Sequence, residues 1–508
     1  MTRALLLFTL ALSVSAGTPI FDGKTLDGWK SPDMSYWSIQ DGAITAASTT
    51  EHPCKKNQFL VWQLGDLDDF ELTLKFRIVG SKSANSGIQI RSQIADDGHA
   101  IGYQADIDLG GNWAGALYDE HTGRRALAKR GKKTVIAADG SRESSDLASA
   151  GNPLKEGEWN TYSITARGPH ITLAINGQIT ADVIDNQPEH RDLQGKLALQ
   201  LHSGPAMTVQ FKDIELTRLA LSDDRKKIVF VAGAPSHPPG QHEFNAGVKL
   251  LSRCLRDASL DIIVANHHDS GWPTDPTALD NADGLILYMD GWHKHAINGR
   301  IPEVDALMKR GGGLMCMHYA VHTAEEYAGK QFLDWIGGYY ETGYSANPHW
   351  KAEFKPTPHA ITQGVSGATI EDEWYFNMRF RDGMEGVTSI ISATPADSNI
   401  TVHRRGGRSW TDITEAALNR PQTLMWATER KDGGRGVGFT GGHWHKNWAH
   451  DVQRKLVLNG ILWASGAKVP AAGAESSVTA EQLAQNHDDK PTPKPRKPRK
   501  PKAKPKAK

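Results

Sequence analysis

Hydrophobic periodicity changes near Asp223, and that change constrains the fold of this chain more than any other feature. Before it, short runs alternate apolar and polar residues: Phe70-Glu71-Leu72-Thr73-Leu74-Lys75-Phe76-Arg77-Ile78, Tyr162 to Ala166, and Ile171 to Ile175. A period of two describes strands with one buried face. Asn176-Gly177, between two such runs, is a hairpin signal because both residues tolerate positive φ. Many short strands without long helices predict an all-β sandwich or jelly roll over residues 17–218.

After Asp223 the apolar strand Lys227 to Ala232 leads into a helical stripe of Phe244, Val248, Leu251 and Leu255. Strands at Asp261 to Val264, Gly284 to Met289 and Leu314 to His318, with a helix at Pro302 to Arg310, continue the alternation. This pattern predicts an α/β domain with a parallel sheet over residues 226–468, joined by a linker at 219–225. In such sheets ligands sit at the carboxyl ends of the strands.

The ends of the chain read differently. Arg3, the apolar run Ala4 to Val14 and the small residues Val14-Ser15-Ala16 predict a signal peptide over residues 1–16. The mature protein is therefore expected to be secreted, periplasmic or extracellular. The apolar run falls short of the ~20 residues of a membrane helix, so no membrane span is expected. Three separated cysteines, Cys54, Cys254 and Cys316, make no disulfide framework. Residues 469–508 are rich in Ala, Pro and Lys, lack periodicity, and are expected to be disordered. Lys490 to Lys508 holds ten of the 58 basic residues and no acidic one, so the zero net charge conceals an acidic body. Nucleic-acid enzymes carry their basic patch on the fold, and no nucleic-acid partner is expected here. The basic tail reads as a solvated extension or as a contact to an anionic surface.

Within the expected sandwich, residues two apart on a strand share a face. That parity places Gln89 with Arg91 and Gln104 with Asp106, and sets Glu71 opposite the apolar Phe70 and Leu72. Tyr118, Asp119, Glu120 and Arg124 are expected on a loop at the edge of this face, with His202 joining from another strand. Carboxylates, amides, a guanidinium and an imidazole together suit sugar hydroxyls and acid/base work.

The stretches Phe21-Asp22-Gly23-Lys24-Thr25-Leu26-Asp27-Gly28-Trp29, Asn85-Ser86-Gly87-Ile88-Gln89-Ile90-Arg91, Gly102-Tyr103-Gln104-Ala105-Asp106-Ile107, Glu156-Gly157-Glu158-Trp159-Asn160 and Leu199-Gln200-Leu201-His202-Ser203-Gly204 resemble the 3-keto-disaccharide hydrolase family. The resemblance implies a concanavalin-like jelly-roll sandwich and an oxidised disaccharide or glycoside as substrate, with a ketone at carbon 3 of the ring. That ketone acidifies the neighbouring carbon–hydrogen bond. The glycosidic oxygen then leaves by elimination, and water adds back. On this reading Glu71, Asp106 and His202 are acid/base residues, Arg91 is the partner of the enolate oxygen, and Gln89, Gln104, Tyr118, Asp119, Glu120 and Arg124 bind substrate. The cofactor is left unknown, with a divalent metal as the alternative to Arg91. A classical two-carboxylate mechanism is disfavoured, because Ala105-Asp106-Ile107-Asp108 lacks the flanking glutamates of a Glu-x-Asp-x-x-Glu strand.

The stretches Gln241-His242-Glu243-Phe244-Asn245, Gly311-Gly312-Gly313-Leu314-Met315-Cys316-Met317-His318-Tyr319, Asn347-Pro348-His349-Trp350, Asp372-Glu373-Trp374-Tyr375 and Gly441-Gly442-His443-Trp444-His445 resemble the ThuA-like (trehalose utilisation) family. That resemblance implies a flavodoxin-like, class I glutamine-amidotransferase-like α/β fold. His318 stands where amidotransferases carry their nucleophilic cysteine, and Cys316 lies two residues earlier inside a strand, so it reads as a core residue. His237, His242, Glu243, Asp290, His318, His322, His349, Asp372, Glu373, His443 and His445 fall at strand ends or loops and form the expected second-domain pocket. Histidines with carboxylates suit either a divalent metal or a metal-free acid/base site. Trp350, Trp374 and Trp444 read as stacking faces for sugars or as core. A second functional reading makes the sandwich a carbohydrate-binding module serving a catalytic ThuA-like domain; a third is a non-catalytic exoprotein.

Overall fold

The computed structural model describes residues 17–111, 113–148, 151–258, 262–267, 271–402 and 412–491. The expected signal peptide and the basic stretch 492–508 lie outside the described residues. The chain divides into two units. The first runs to Arg225 and includes Pro273–Asn281; the second comprises Lys226–Trp272 and the chain from Ala282 onward.

The first unit is an all-β sandwich of a ten-stranded and a seven-stranded sheet. Strand Phe70–Gly80 shows how the pattern builds it: Phe70, Leu72, Leu74, Phe76 and Ile78 are buried, while Thr73 and Lys75 face solvent. Asn176 and Gly177 adopt φ of 50° and 78° and turn His170–Ile175 antiparallel onto Gln178–Asp185. The seven-stranded sheet runs in the order Arg125–Ala128, Leu117–Glu120, Ala100–Asp108, Asn85–Ile94, Lys196–Leu201, Gln58–Trp62, Trp29–Lys30. Its inner face contributes Ile88, Tyr103, Ala105, Leu117 and Leu199 to the core.

One buried carboxylate ties several segments of this unit together. Asp69 pairs with Arg91 Nη2 at 2.9 Å, both side chains fully buried. It also accepts from the Gly168 amide at 2.9 Å and from the Ser222 amide and hydroxyl at 3.0 and 2.8 Å. The expected linker is thus held on the sandwich at Ser222. Residues Pro273–Asn281, which lie inside the span expected for the second domain, join the same unit: Arg218 Nη2 donates to Asp275 at 3.0 Å and Asn281 to Asp68 at 2.9 Å.

The second unit holds a ten-stranded sheet of mixed direction, which corrects the expectation of an all-parallel one. Five strands are parallel, in the spatial order Ile262–His267, Lys226–Ala232, Gly284–Tyr288, Gly313–Met317, Arg435–Phe439. Gln422–Glu429, Val387–Ala393, His349–Pro356 and Ala368–Asp372 extend it antiparallel. The reason is legible in His349–Pro356, where Trp350, Ala352 and Phe354 are buried and Lys351, Glu353 and Lys355 exposed. That period of two belongs to half-buried antiparallel strands, whereas parallel strands buried on both faces read as continuous apolar runs. Helices Phe244–Asp257, Ile301–Lys309 and Asp451–Ala464 complete the unit.

Residues 469–491 are also corrected, from disordered tail to part of this unit. Asn459 Oδ1 accepts from the Ala474 amide at 2.7 Å, Arg454 Nε donates to Ser476 Oγ at 2.7 Å, and Lys490 Nζ lies 3.1 Å from Glu243 Oε1. Specific polar partners hold a segment that its composition marks as unable to fold alone. Among the described residues no helix is long and apolar enough to cross a membrane.

Replacing Asp69 with Ala leaves the Arg91 charge buried without its partner. Denaturant unfolding of the sandwich is expected to show a loss of about 3–5 kcal/mol.

Candidate functional site

Each unit presents a polar site. In the sandwich it lies on the face of the seven-stranded sheet turned away from the core. Register places Gln89 opposite Gln104, Gln104 opposite Tyr118, and Asp106 opposite Gly87. Ser92 Oγ donates to Gln89 Oε1 (2.8 Å), Gln89 Nε2 to Gln104 Oε1 (2.7 Å), and Gln104 Nε2 to Asp106 Oδ1 (2.6 Å). The chain of donors ends on the carboxyl of Asp106. Gly87 makes room for it, since a Cβ there would meet the Gln104 side chain at 2.5 Å. Burial pushes the Asp106 carboxyl up to about 8, with the Gln104 hydrogen bond opposing and the charges of Glu120 and Asp108 adding to the rise. A carboxylate this basic suits proton abstraction from carbon near neutral pH.

The structure brings Gln89, Gln104, Asp106, Tyr118 and Glu120 to one face; parity pairs Gln104 with Asp106, whereas Tyr118 and Glu120, expected on an edge loop, stand in the strand Leu117–Glu120. Five other candidates sit elsewhere. Arg91 follows Gln89 by two residues, yet a bulge between Ile90 and Gln93 and a φ of 48° turn it into the core with Asp69. Glu71 lies on the other sheet, in Phe70–Gly80. Asp119 has the opposite parity to Tyr118; it pairs with Arg124 Nε at 2.5 Å, and Arg124 also reaches Asp185 at 2.8 Å. Both are structural. His202 lies just past Lys196–Leu201 with Nδ1 2.6 Å from the Ser203 carbonyl. Gln200, which sequence reasoning missed, shares the polar face; it is fully buried and neither amide atom has a protein partner.

The second site is denser. His242 follows strand Lys226–Ala232, Asp290 follows Gly284–Tyr288, His318 follows Gly313–Met317 and His443 follows Arg435–Phe439. All four come from the carboxyl ends of parallel strands, where such sheets bind ligands. Glu373 arrives from the end of the antiparallel strand Ala368–Asp372. His242 Nε2 lies 3.0 Å from His443 Nδ1 and 3.1 Å from His318 Nε2; His318 Nε2 lies 3.3 Å from His443 Nδ1. Glu373 Oε2 is 3.4 Å from His443 Nδ1 and 3.6 Å from His318 Nε2.

The tautomers follow from the outer contacts. His318 Nδ1 faces the Thr440 carbonyl at 3.0 Å and His242 Nδ1 faces Asp290 Oδ1 at 3.0 Å. Both partners only accept, so each Nδ1 carries the proton and each Nε2 turns a lone pair inward. Burial pushes His318 down to about 4 and His242 and His443 well below the usual imidazole range, and the neighbouring imidazoles push the latter two further down. Neutral imidazoles with converging lone pairs beside a carboxylate form a donor set for a divalent cation such as zinc. Asp372 supports the set from beneath, accepting from the amides of Gly442 (2.8 Å) and His443 (3.2 Å). His242 and His318 hold φ of 48° and 54°, an uncommon conformation for residues other than glycine.

A cavity of about 190 Å³ opens on the cluster, lined by His237, His242, Tyr319, His322, Tyr340, Asn347, Glu373 and Tyr375. His349 reaches it from the side, 3.7 Å from Glu373 Oε1. Two expected pocket residues lie outside. Glu243 is buried against the Gly240 amide (2.7 Å) and Lys490, and His445 Nε2 binds the Leu483 carbonyl at 3.0 Å. Trp350 and Trp374 are fully buried core residues, as is Cys316, whose thiol burial pushes up. Tyr375, 3.3 Å from His318 Nε2, was missed as a site residue, although it ends the Asp372-Glu373-Trp374-Tyr375 stretch.

Residues 17–217 match the family model described as the 3-keto-alpha-glucoside-1,2-lyase-like domain, and residues 229–464 match that of ThuA, trehalose utilisation. Both resemblances read from the motifs are thereby matched. No curated protein matches the chain. Similar solved structures include the carbohydrate-binding module CBM66 from Bacillus subtilis, at 14% identity over 37% of this chain and 94% of that one, TM-score 0.27. A protein described as a glycosyl hydrolase from Parabacteroides distasonis is similar at 18% identity over 39% and 96%, TM-score 0.27. A protein described as thua-like from Parabacteroides merdae is similar at 14% identity over 51% and 99%, TM-score 0.35.

Acidification tests the buried imidazoles. His318 moves from 6.5 in the unfolded chain to about 4 when folded, so the unfolded state binds more protons between those values. Stability is intact above pH 6.5 and falls as pH drops toward 4. Thermal melts of the metal-free chain are expected to show that decline, and His318→Gln to make it shallower.

Proposed function

We propose that the chain is an exported carbohydrate-processing enzyme acting on 3-keto-glycosides, with elimination on the sandwich and hydration at the histidine cluster of the second unit. The observation that carries the enzyme reading is the convergence of His242, His318, His443 and Glu373 at the strand ends, with His242 and Glu373 lining a cavity there. The family matches support a carbohydrate substrate, and the description of the first favours a 3-keto-glycoside. The five parallel strands of the second sheet support a flavodoxin-like reading of that unit.

In the first half-reaction Asp106 removes the proton on the carbon beside the ketone, and its electron pair moves onto the ketone oxygen as an enolate. Collapse of the enolate restores the ketone, forms a double bond to the anomeric carbon and breaks the glycosidic bond. The leaving oxygen takes the proton that Asp106 gained, which returns Asp106 to its carboxylate. Gln104 fixes the Asp106 carboxyl for this work through its 2.6 Å hydrogen bond. In the second half-reaction water adds across the double bond, oxygen to the anomeric carbon and hydrogen to its neighbour. A divalent cation, when bound, acidifies water. Tyr375, His237 and His322 line the cavity and move protons there, while Asn347 holds Glu373 through a 3.1 Å hydrogen bond.

The two half-reactions are separable in the full chain with a 3-keto-disaccharide. Asp106→Asn is expected to slow release of the leaving sugar about 10²-fold, the range for a lost general base. His318→Ala is expected to retain release and accumulate the conjugated unsaturated ketone, followed by ultraviolet absorbance. Full turnover by Asp106→Asn removes the sandwich assignment. Loss of release in His318→Ala without the unsaturated product moves the chemistry to the second unit and leaves the sandwich as a binding module.

A further inference from the structure

A second cluster of donor atoms lies on the sandwich, apart from the histidine set just described. His99 precedes strand Ala100–Asp108; Glu120 ends strand Leu117–Glu120, and His121 follows it in the turn toward Arg125–Ala128. One ligand atom from each of the three lies within 4.8 Å of the others. We propose that His99, Glu120 and His121 bind a divalent cation of the zinc class on the polar face of the sandwich.

Four features of the geometry carry this. First, the residue types are two imidazoles and one carboxylate, the set that leaves a fourth position open for water or substrate. Second, His99 Nε2 is shielded from solvent and has no protein hydrogen-bond partner, while its ring packs edge-on against Phe59 at 5.4 Å and His121 at 3.9 Å. The ring is thus held in place with a polar atom unused. Third, His121 sits at φ of 57°, in a short turn whose flanking strands are paired through Arg125 and Asp119. Left-handed backbone at a residue other than glycine is uncommon and clusters at ligand-holding positions. Fourth, the charge balance is permissive: Asp97 and Glu120 oppose Lys56 around His99.

The position gives the cation a use. Glu120 stands on the same face as Gln104 and Tyr118, and close enough to Asp106 for its charge to act on that carboxyl. Arg91, the residue expected to stabilise the enolate oxygen, is locked in the core against Asp69. The sandwich therefore lacks its expected cationic partner for that oxygen, and a cation on His99, Glu120 and His121 would restore positive charge to the same polar face. This use rests on the elimination reading above; the site itself does not.

Zinc counting on the full chain separates the two. After equilibrium dialysis, His121→Ala is expected to bind one Zn²⁺ fewer than the wild type, and His318→Ala also one fewer, with the losses additive in the double variant. His121 is exposed, so its removal is expected to leave the melting temperature of the metal-free chain unchanged. Glu120→Gln serves as the conservative variant and is expected to weaken that ion by more than the roughly 10–100-fold that follows loss of an outer-sphere partner. Cobalt substituted at the site is expected to lose its visible absorption in His99→Gln. An unchanged zinc count in both His121→Ala and Glu120→Gln overturns the proposal, whatever His318→Ala does. A count lowered by His121→Ala but not by His318→Ala sustains it and removes the cation from the second unit instead.

Discussion

Burial of three neutral imidazoles against one carboxylate is the constraint around which the second unit is arranged. Water is excluded from His242, His318 and His443, so the neutral form is favoured and their lone pairs are available at neutral pH. Buried polar rings need partners, and the fold supplies them from outside the cluster: Asp290 and the Thr440 carbonyl orient two rings, and Asp372 holds the backbone of the third. These supports are drawn from three different strand ends. The parallel half of the sheet exists to bring those ends together, and the antiparallel extension delivers Glu373 to the same point.

The sandwich solves a different problem with similar means. Its inner buried charges, Asp69 with Arg91 and Asp119 with Arg124, bind strands and turns into one body. Its outer face keeps a single file of amides ending on Asp106. A bulge of one residue after Ile90 separates the two roles, because it sends Arg91 inward while Gln89 stays outside. A strand that ran straight would leave the Arg91 guanidinium on the outer face with Gln89.

Much of this was legible in the residues. The alternation in Phe70 to Ile78 identified a half-buried strand, and the Asn176-Gly177 turn identified the hairpin of His170–Ile175 with Gln178–Asp185, because both depend on local sterics and on the two-residue period. Parity within a regular strand grouped Gln104 with Asp106, while strand pairing added Gln89, Tyr118 and Glu120 to the same face. The histidines and acids of the second unit were recognisable as a group from their positions after apolar strand runs. His242, His318, Glu373 and His443 came together as a cluster, while Glu243 and His445 were drawn off to hold the C-terminal segment.

The chain by itself determined the two fold types and the identity of the polar candidates, since periodicity and residue chemistry are properties of short segments. Tertiary structure alone decided which candidates meet. A bulge reverses side-chain direction without changing composition, so Arg91 could not be placed from spacing. Glu71 has the right chemistry on the wrong sheet, and only strand pairing shows it. His99 joins Glu120 and His121 only when the strands that begin or end beside them pair, 21 positions apart in sequence at the nearest. Residues 469–491 lack apolar periodicity, yet Asn459, Arg454 and Glu243 offer them buried hydrogen-bond partners that exist only once the sheet and its last helix have formed.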